Sequence, residues 1–214
     1  MNLNKSLLFS SVFVFLTMSF QSFAQSYYNL QVGNYWSYTS AIGFGEFKPY
    51  DNAEDKIVFE NRSIGQYLVR VRSIEKINGT DYFVLENGGY LSYLSIKNNK
   101  VFLLKEVVSG LNLIYDPPLL LFDFGSNSWS WQGTHASVAC ASNGMSLGFW
   151  QISTSIGSFT ALRNTNLVTC SNGETRSYEY SFVNGVGVVG FIDFFGSGSK
   201  GNIILSLMSD YGKK

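Results

Sequence analysis

Few side chains in this sequence have the types and spacing that acid–base or nucleophilic chemistry requires. His135 is the single histidine, and imidazole is the side chain whose ordinary pKa lies near neutrality. A serine hydrolase would need its nucleophile on a strand-to-helix elbow, and the patterns around the serines predict no such elbow. We therefore expect His135 at a strand edge or turn, and we predict no catalytic residue and a protein that is not an enzyme.

Metal and cofactor sites are not indicated either. The acidic residues Asp51, Glu54 and Asp55 lack the loop spacing and the glycine of an EF-hand, so we expect a solvated loop. Gly185-Val-Gly-Val-Val-Gly190 matches the dinucleotide fingerprint letter by letter. A β-like run follows it, however, where the fingerprint needs a helix to hold the pyrophosphate. We predict a strand bend or bulge there, with no metal and no cofactor bound.

Charge and composition argue against further classes of partner. The chain has 15 basic and 15 acidic residues with no run of like charge, so it lacks the basic face that binds nucleic acid or anionic lipid. Charged residues make up 14% of the chain and aromatic residues 16%, with 21 glycines. That balance is typical of a β protein with many tight turns. We predict no nucleic-acid partner.

Hydrophobic alternation predicts strands along almost the whole chain. The segment 66–74, for example, places valine and tyrosine side chains on one face and arginines on the other, as a strand of an antiparallel sheet does. Asn-Gly pairs, the strongest short signal for a hairpin, occur at Asn78-Gly79, Asn143-Gly144 and Asn172-Gly173. Pro117-Pro118 predicts a crossing segment, because proline removes the donors that a central strand needs.

Residues 1–24 have the features of a secretory signal peptide. Lys5 precedes an apolar run that is shorter than a membrane-spanning helix needs, and Ser22-Phe-Ala24 is a small-x-small cleavage site. We therefore predict an exported protein, periplasmic or secreted, with no transmembrane segment after signal removal. Residues 25–214 are expected to form a single all-β domain: a strongly curved antiparallel sheet or partly open β-barrel, or alternatively a two-sheet β-sandwich.

Cys140 and Cys170 are the only cysteines. A disulfide between them is expected in an exported chain, because oxidising compartments favour disulfides. The alternative is a pair of buried free thiols. A zinc site would need further ligands, and none cluster near either cysteine in the sequence.

Two similar aromatic motifs are the main candidates for a binding surface. The segment that opens the predicted mature chain has a glycine followed by two aromatic residues two positions apart, and a looser copy returns mid-chain. Alternation puts Trp36 and Tyr38 on one strand face, and likewise Trp129 and Trp131. These four side chains could line a cavity for an apolar ligand or stack on sugar rings. The alternative is that they fill a core, as large aromatic residues usually do.

Three segments together resemble a group of uncharacterised bacterial exported proteins, many of them lipoproteins. They are the opening Leu30-x-x-Gly33-x-x-Trp36-x-Tyr38, the segment from Pro117-Pro118 to Trp131, and Gly185-Val-Gly187 before a final strand. Members of that group begin with a similar Leu-x-x-Gly-x-x-Trp-x-Tyr. The resemblance implies a curved, mostly antiparallel β fold and carries over no catalytic residue. This chain differs from the lipoprotein members in having no cysteine beside the predicted cleavage site.

The sequence therefore favours a non-enzymatic exported protein that binds an apolar or amphiphilic small molecule in the cup of a curved sheet, since such sheets can enclose ligands. One alternative is a structural or protein-interaction module of the cell envelope with a filled core. A third and less favoured alternative is a hydrolase. No motif indicates a paired-carboxylate glycosidase, although the two acids of such a site need not be close in sequence. No motif indicates a particular ligand or an oligomeric state.

Overall fold

Alternating apolar residues and short polar turns fold this chain into antiparallel strands. The computed structural model describes residues 23–48 and 57–213, and this part of the chain contains one helix and twelve strands. Their bounds are α1 Phe23–Tyr28, β1 Asn34–Phe47, β2 Ile57–Ile77, β3 Thr80–Asn87, β4 Tyr90–Lys97, β5 Lys100–Val108, β6 Leu111–Asp123, β7 Ser128–His135, β8 Val138–Thr154, β9 Gly157–Cys170, β10 Glu174–Val183, β11 Gly187–Ser197 and β12 Lys200–Lys213.

The strands close into a barrel. Each strand is antiparallel to its neighbours in sequence, and β12 pairs with β1, from Asn34 opposite Lys213 to Glu46 opposite Lys200. The last strand therefore meets the first, and the all-β, strongly curved fold predicted from the sequence is confirmed in its closed form. Alternation directs every second side chain of each strand into the interior.

Most hairpin turns follow the sequence signals. Asn78 and Gly79 join β2 to β3 with φ angles of 49° and 81°, the left-handed conformations that a two-residue hairpin turn requires. The hairpin predicted at Asn143-Gly144 is wrong, because both residues lie inside β8, where Gly144 stands opposite Trp129. A Cβ added at Gly144 would lie 2.0 Å from an atom of that indole, so this glycine makes room for a ring.

The crossing segment predicted at Pro117-Pro118 is also wrong, because β6 continues through both prolines. The prolines occupy a stretch in which β6 separates from its partners. The pairing of β5 with β6 skips the residues between Ile114 and Leu119, and β7 pairs only with Tyr115 and Asp116. The missing proline N–H groups therefore remove no hydrogen bond from either ladder.

The boundary between β6 and β7, here called the seam, is held by side chains as well as by its short ladder. The Asn166 side chain of β9 donates to the carbonyl oxygens of Leu120 and Leu121 at 2.9 and 3.1 Å. The indole N–H of Trp131 donates to the carbonyl oxygen of Pro117 at 3.2 Å. Backbone carbonyls that β7 does not reach thus find donors elsewhere, as buried polar groups must.

Helix α1 lies across one end of the barrel, here called the α1 end. Tyr27 stacks on Phe124 and Tyr28 packs against Phe182, each with 5.4 Å between ring centroids. The N–H of Gly185, in the β10–β11 turn, donates to a carbonyl oxygen of α1 at 3.0 Å. The opposite end, here called the distal end, carries the β3–β4, β5–β6, β7–β8, β9–β10 and β11–β12 turns.

Cys140 and Cys170 stand opposite each other on β8 and β9 and form a disulfide, as the sequence predicts. Cys140 is the third residue of β8 and Cys170 is the last residue of β9. The disulfide therefore lies near the distal end, where it links the two strands of a long hairpin. The free-thiol alternative does not hold, because the described part of the chain contains no free cysteine.

Two predictions lie largely outside the described residues. The predicted signal peptide, 1–24, overlaps them only at residues 23 and 24, which begin α1. The predicted loop with Asp51, Glu54 and Asp55 falls in the undescribed stretch 49–56. Both stay predictions. Within the residues that the structure describes, no helix is long and apolar enough to cross a membrane.

Candidate functional site

The interior of the barrel contains a cavity beside helix α1. Its volume is about 130 Å³, close to the roughly 150 Å³ of an engineered apolar cavity that takes up benzene. Five strands and the helix contribute the aromatic part of its lining, together with aliphatic and polar side chains. The aromatic residues that line it are Tyr28, Trp36, Tyr38, Tyr67, Tyr90, Tyr178, Tyr180 and Phe191.

The floor of the cavity, toward the α1 end, is apolar. Leu121 lies two residues before the end of β6 and Val188 at the second position of β11, both close to the turns that surround α1. Leu94 and Leu103 lie opposite each other on β4 and β5 and complete this side. A ligand's hydrocarbon part would remove this surface from water, which is favourable.

The rim of the cavity, toward the distal end, is polar. Asn87, Tyr90 and Ser92 lie around the β3–β4 turn, and Glu106 stands opposite Ser92 on β5. Tyr90 is 54% exposed, so the cavity reaches the surface beside this side chain. Asp193 of β11 lies on the same rim. The cavity therefore has an apolar end and a polar end along the barrel axis.

A chain of charged groups runs through the distal half of the interior. The Arg176 guanidinium lies 2.6 Å from a Glu106 oxygen and 2.7 Å from a Glu174 oxygen. Burial raises the pKa of Glu106, while Arg176 opposes that rise. The same Glu174 oxygen lies 3.6 Å from His135 Nδ1. Burial, helped by Arg176, lowers the pKa of His135 to about 4, so the imidazole is neutral at pH 7.

Asp193 forms no ion pair with a basic side chain among the residues that the structure describes. Its Oδ2 accepts a hydrogen bond from the Tyr180 hydroxyl at 3.4 Å, and its buried Oδ1 has no hydrogen-bond partner among the described residues. Burial, reinforced by the charge of Glu106, raises the pKa of Asp193 to about 8. The carboxyl group is therefore mostly protonated at pH 7, because a buried carboxylate without a partner is costly.

The negative charge of the Asp193 carboxylate affects the pKa of the tyrosines that line the cavity. Burial raises the pKa of Tyr28, Tyr67 and Tyr180, and Asp193 is the next largest cause for each. An electrostatic effect of this kind decreases with distance, so these tyrosines and the carboxyl group share one compartment. They come from α1, β2 and β10, which the sequence separates widely.

Two of the four predicted binding residues line this cavity. Trp36 donates its indole N–H to the carbonyl oxygen of Val186 at 2.8 Å, and Tyr38 donates its hydroxyl to that of Val188 at 2.9 Å. The Trp36 ring lies against Gly187, where an added Cβ would be 2.7 Å from the indole nitrogen. Both rings are thus held in fixed orientations by the start of β11 and the turn residue before it.

The other two predicted residues lie on the filled side of the interior. Trp129 and Trp131 are each 8% exposed and do not line the cavity. Trp129 covers Gly144 and meets Phe122 edge to face at 6.4 Å. Trp131 meets Tyr115 edge to face at 5.9 Å. Their place beside the seam makes them packing residues, so the structure separates the two aromatic pairs.

His135 is not joined to a serine nucleophile. It is 3% exposed and stacks on Tyr115, with 4.4 Å between ring centroids. A Gly-x-Ser-x-Gly sequence does occur at 144–148, but it lies within β8 and not on a strand-to-helix turn. Its Ser146 is about eight positions along β8 from Val138, which pairs with His135, or roughly 25 Å at the rise of a strand.

Besides several lining tyrosines, the sequence reasoning missed the two acidic residues of the site, Asp193 and Glu106. A signal for Asp193 exists, because it alternates with Phe191 and Phe195 on one face of an otherwise apolar strand. An acid on a buried face indicates a binding or structural role. Glu106 offers no such signal, since its partner Arg176 is 70 residues away in the sequence.

Comparisons with known proteins give weak likenesses. No family model and no curated protein matches the chain. A solved structure of a protein described as exported, with a YmcC-like fold, from Bacteroides fragilis is 8% identical, covers 87% of this chain and 99% of its own, and has a TM-score of 0.41. A lipoprotein from Parabacteroides distasonis is 10% identical, with 85% and 96% covered and a TM-score of 0.38.

The hypothetical lipoprotein YmcC from Escherichia coli is 14% identical to this chain. The comparison covers 88% of this chain and 95% of that protein, with a TM-score of 0.34. Likenesses at these identities and TM-scores establish neither a family nor a function. The function is therefore inferred from the interior of the barrel itself.

Proposed function

We propose that the protein is an exported, non-enzymatic binding protein that holds a small amphiphilic ligand inside its barrel. The observation that carries this proposal is the interior cavity of about 130 Å³ with an apolar floor at the α1 end and a polar rim at the distal end. A ligand with a hydrocarbon part and a polar group would match that order. Pockets of this kind, mostly apolar with a few placed polar groups, are the usual sites for small molecules.

Export is supported by the predicted signal peptide and by the resemblance of the opening motif to bacterial exported proteins. Cleavage after Ala24 would leave Gln25 to Tyr28 at the α1 end. The side-chain amide of Gln25 donates to the carbonyl oxygen of Leu30 at 2.6 Å, and Tyr28 lines the cavity. The residues that close the cavity thus belong to the predicted mature chain.

The experiment that tests this function is calorimetric titration with n-octanol, a neutral amphiphile. We expect saturable binding of one octanol per chain. Leu103→Trp should abolish it, because Leu103 is buried and lines the cavity floor, and the larger ring would fill the space. Leu68→Trp, the same change at an exposed position of β2, should bind as the wild type does.

Absence of binding to the wild-type protein would overturn the proposal and favour the alternative of a module with a filled core. Equal binding by Leu103→Trp and the wild type would place the octanol elsewhere and would also overturn it. Intact mass and circular dichroism of each variant establish that it is folded before the titration is interpreted.

A further inference from the structure

The charges inside the distal half of the barrel do not balance. Three carboxyl groups, Glu106, Glu174 and Asp193, face the guanidinium of Arg176, the one basic side chain that the described contacts place among them. Arg176 makes close contacts with both glutamates. His135 is buried and neutral at pH 7. The Asp193 carboxyl group is thus left without a compensating cation on the wall of a cavity.

Aromatic rings surround the same place. The Phe191 ring lies 5.0 Å from Tyr38, 5.6 Å from Tyr67 and 5.5 Å from Tyr180, between ring centroids. Asp193 follows Phe191 by two positions and so projects from the same strand face. Ring faces attract cations, and more strongly where water is excluded. A carboxyl group beside several tyrosine and phenylalanine rings is the chemistry that recognises an organic ammonium ion.

We propose that the ligand of this cavity is a cationic amphiphile, an alkylammonium compound whose ammonium group lies between Asp193 and the rings around Phe191 and whose chain lies on the apolar floor. This inference rests on the proposed function and specifies the ligand class for the same site. An anionic head group would meet Asp193 and Glu106 at close range, which is repulsive. A neutral head group would leave the Asp193 Oδ1 atom without an ionic partner.

The test compares three probes of the same chain length at pH 8: n-octylammonium, n-octanol and n-octanoate. Calorimetry should show octylammonium binding at least about tenfold more tightly than octanol, the difference expected when a charge-assisted hydrogen bond replaces a neutral one. Octanoate should bind more weakly than octanol. Asp193→Asn keeps the shape of the side chain and should bind octanol while losing the preference for octylammonium.

Asp81→Asn is the matched control, since Asp81 lies on the exposed outer part of β3 with a weak contact to Lys76. It removes the same charge from the chain and should keep the full preference. If octanol binds as tightly as octylammonium, or if Asp193→Asn keeps the preference, the cationic inference is overturned while the proposed function stands. If none of the three probes binds, the proposed function itself fails and the inference fails with it.

Discussion

The two aromatic motifs start from similar sequences and have opposite surroundings in the barrel. Trp36 and Tyr38 line a cavity, whereas Trp129 and Trp131 are packed into the filled side beside the seam. Each motif places a tryptophan against a glycine of another strand, Gly187 of β11 for Trp36 and Gly144 of β8 for Trp129. The sequence motif therefore determines that its tryptophan is buried against a glycine. The other strands determine whether a cavity remains beside that tryptophan.

The difference comes from what the other strands contribute. On the filled side, β6 brings the rings of Tyr115 and Phe122 against the two tryptophans. On the cavity side, several tyrosines and two carboxyl groups line the space, and buried polar groups resist close packing because each needs a partner. In this barrel, the polar groups that face an aromatic pair distinguish the cavity side from the filled side.

The largest expected effects come from truncating one tryptophan on each side. Trp36→Ala and Trp131→Ala should each lower the free energy of unfolding by about 3–5 kcal/mol, as for other buried tryptophans. Chemical denaturation measures this loss. The two variants should differ in binding, because only Trp36 lines the cavity: folded Trp36→Ala should bind octanol with altered affinity, and folded Trp131→Ala should bind it normally. Unchanged octanol binding by folded Trp36→Ala would show that the two tryptophans do not differ in their effect on binding.

Removal of the disulfide should weaken the fold and leave the cavity intact. Cys140 and Cys170 are 30 residues apart, so Cys140→Ser with Cys170→Ser should lower the free energy of unfolding by about 3–4 kcal/mol in the chain-entropy model. Reduction should lower the stability of the wild type to that of the double variant, and it should not affect the double variant. Loss of octanol binding by the folded double variant would show that the cavity depends on this end of β8 and β9.

The charge on the cavity side should make stability depend on pH. Folded Asp193 keeps its proton up to about pH 8, whereas an aspartate in the unfolded chain loses it near 3.8. Between these values the folded state binds more protons, so the free energy of unfolding falls as pH rises. From pH 6.5 to 8 the fall should be about 2 kcal/mol, measured by urea denaturation, and Asp193→Asn should remove it.

His135 acts in the opposite direction at lower pH. It stays neutral in the folded state down to about pH 4, while the unfolded histidine is protonated below 6.5, so its contribution to stability rises with pH between these values. Above pH 6.5 the pH dependence therefore comes from Asp193 and not from His135. Equal slopes of the free energy of unfolding against pH for wild type and Asp193→Asn in this range would contradict that assignment.

The charged and titratable groups that face Asp193 are Glu106, Arg176, Tyr28, Tyr38, Tyr67 and Tyr180.

The smallest expected effect tests the filled side. Asn166→Ala removes two hydrogen bonds to β6 carbonyls and should lower the free energy of unfolding by about 1 kcal/mol. Asn112→Ala, at an exposed position of β6, should leave stability unchanged. A loss with Asn166→Ala no larger than that of the control would mean that the seam does not depend on this side chain.

Local sequence signals predicted the fold class well, because alternation and Asn-Gly turns act over a few residues. Asn78-Gly79 forms a hairpin turn, as predicted, since nothing from outside the hairpin competes with its backbone preference. Asn143-Gly144 does not, because Trp129 of the adjacent strand needs the space above Gly144. A packing requirement from another strand overrides a turn preference, and a single sequence does not reveal which strand will be adjacent.

The candidate site was predictable only in part for the same reason. The positions of Trp36 and Tyr38 on one face follow from a period of two, but the cavity beside them depends on Glu106, Asp193 and tyrosines from four other elements. Trp129 and Trp131 carry the same local signal and have a different role. Contacts between strands in the closed barrel therefore determine which aromatic pair lines a cavity.

Closure of this barrel joins the two ends of the described chain, which has a consequence for how it folds. The Tyr35 hydroxyl meets Asp210 across 175 positions, and Ser40 meets Ser206 across 166. Contacts of such high sequence separation form late and slowly, because a long loop must be ordered before they contribute. The chain cannot complete its native pairing until its last strand has been synthesised. A newly made chain is therefore expected to fold more slowly than one rich in local contacts, which would suit the proposed export.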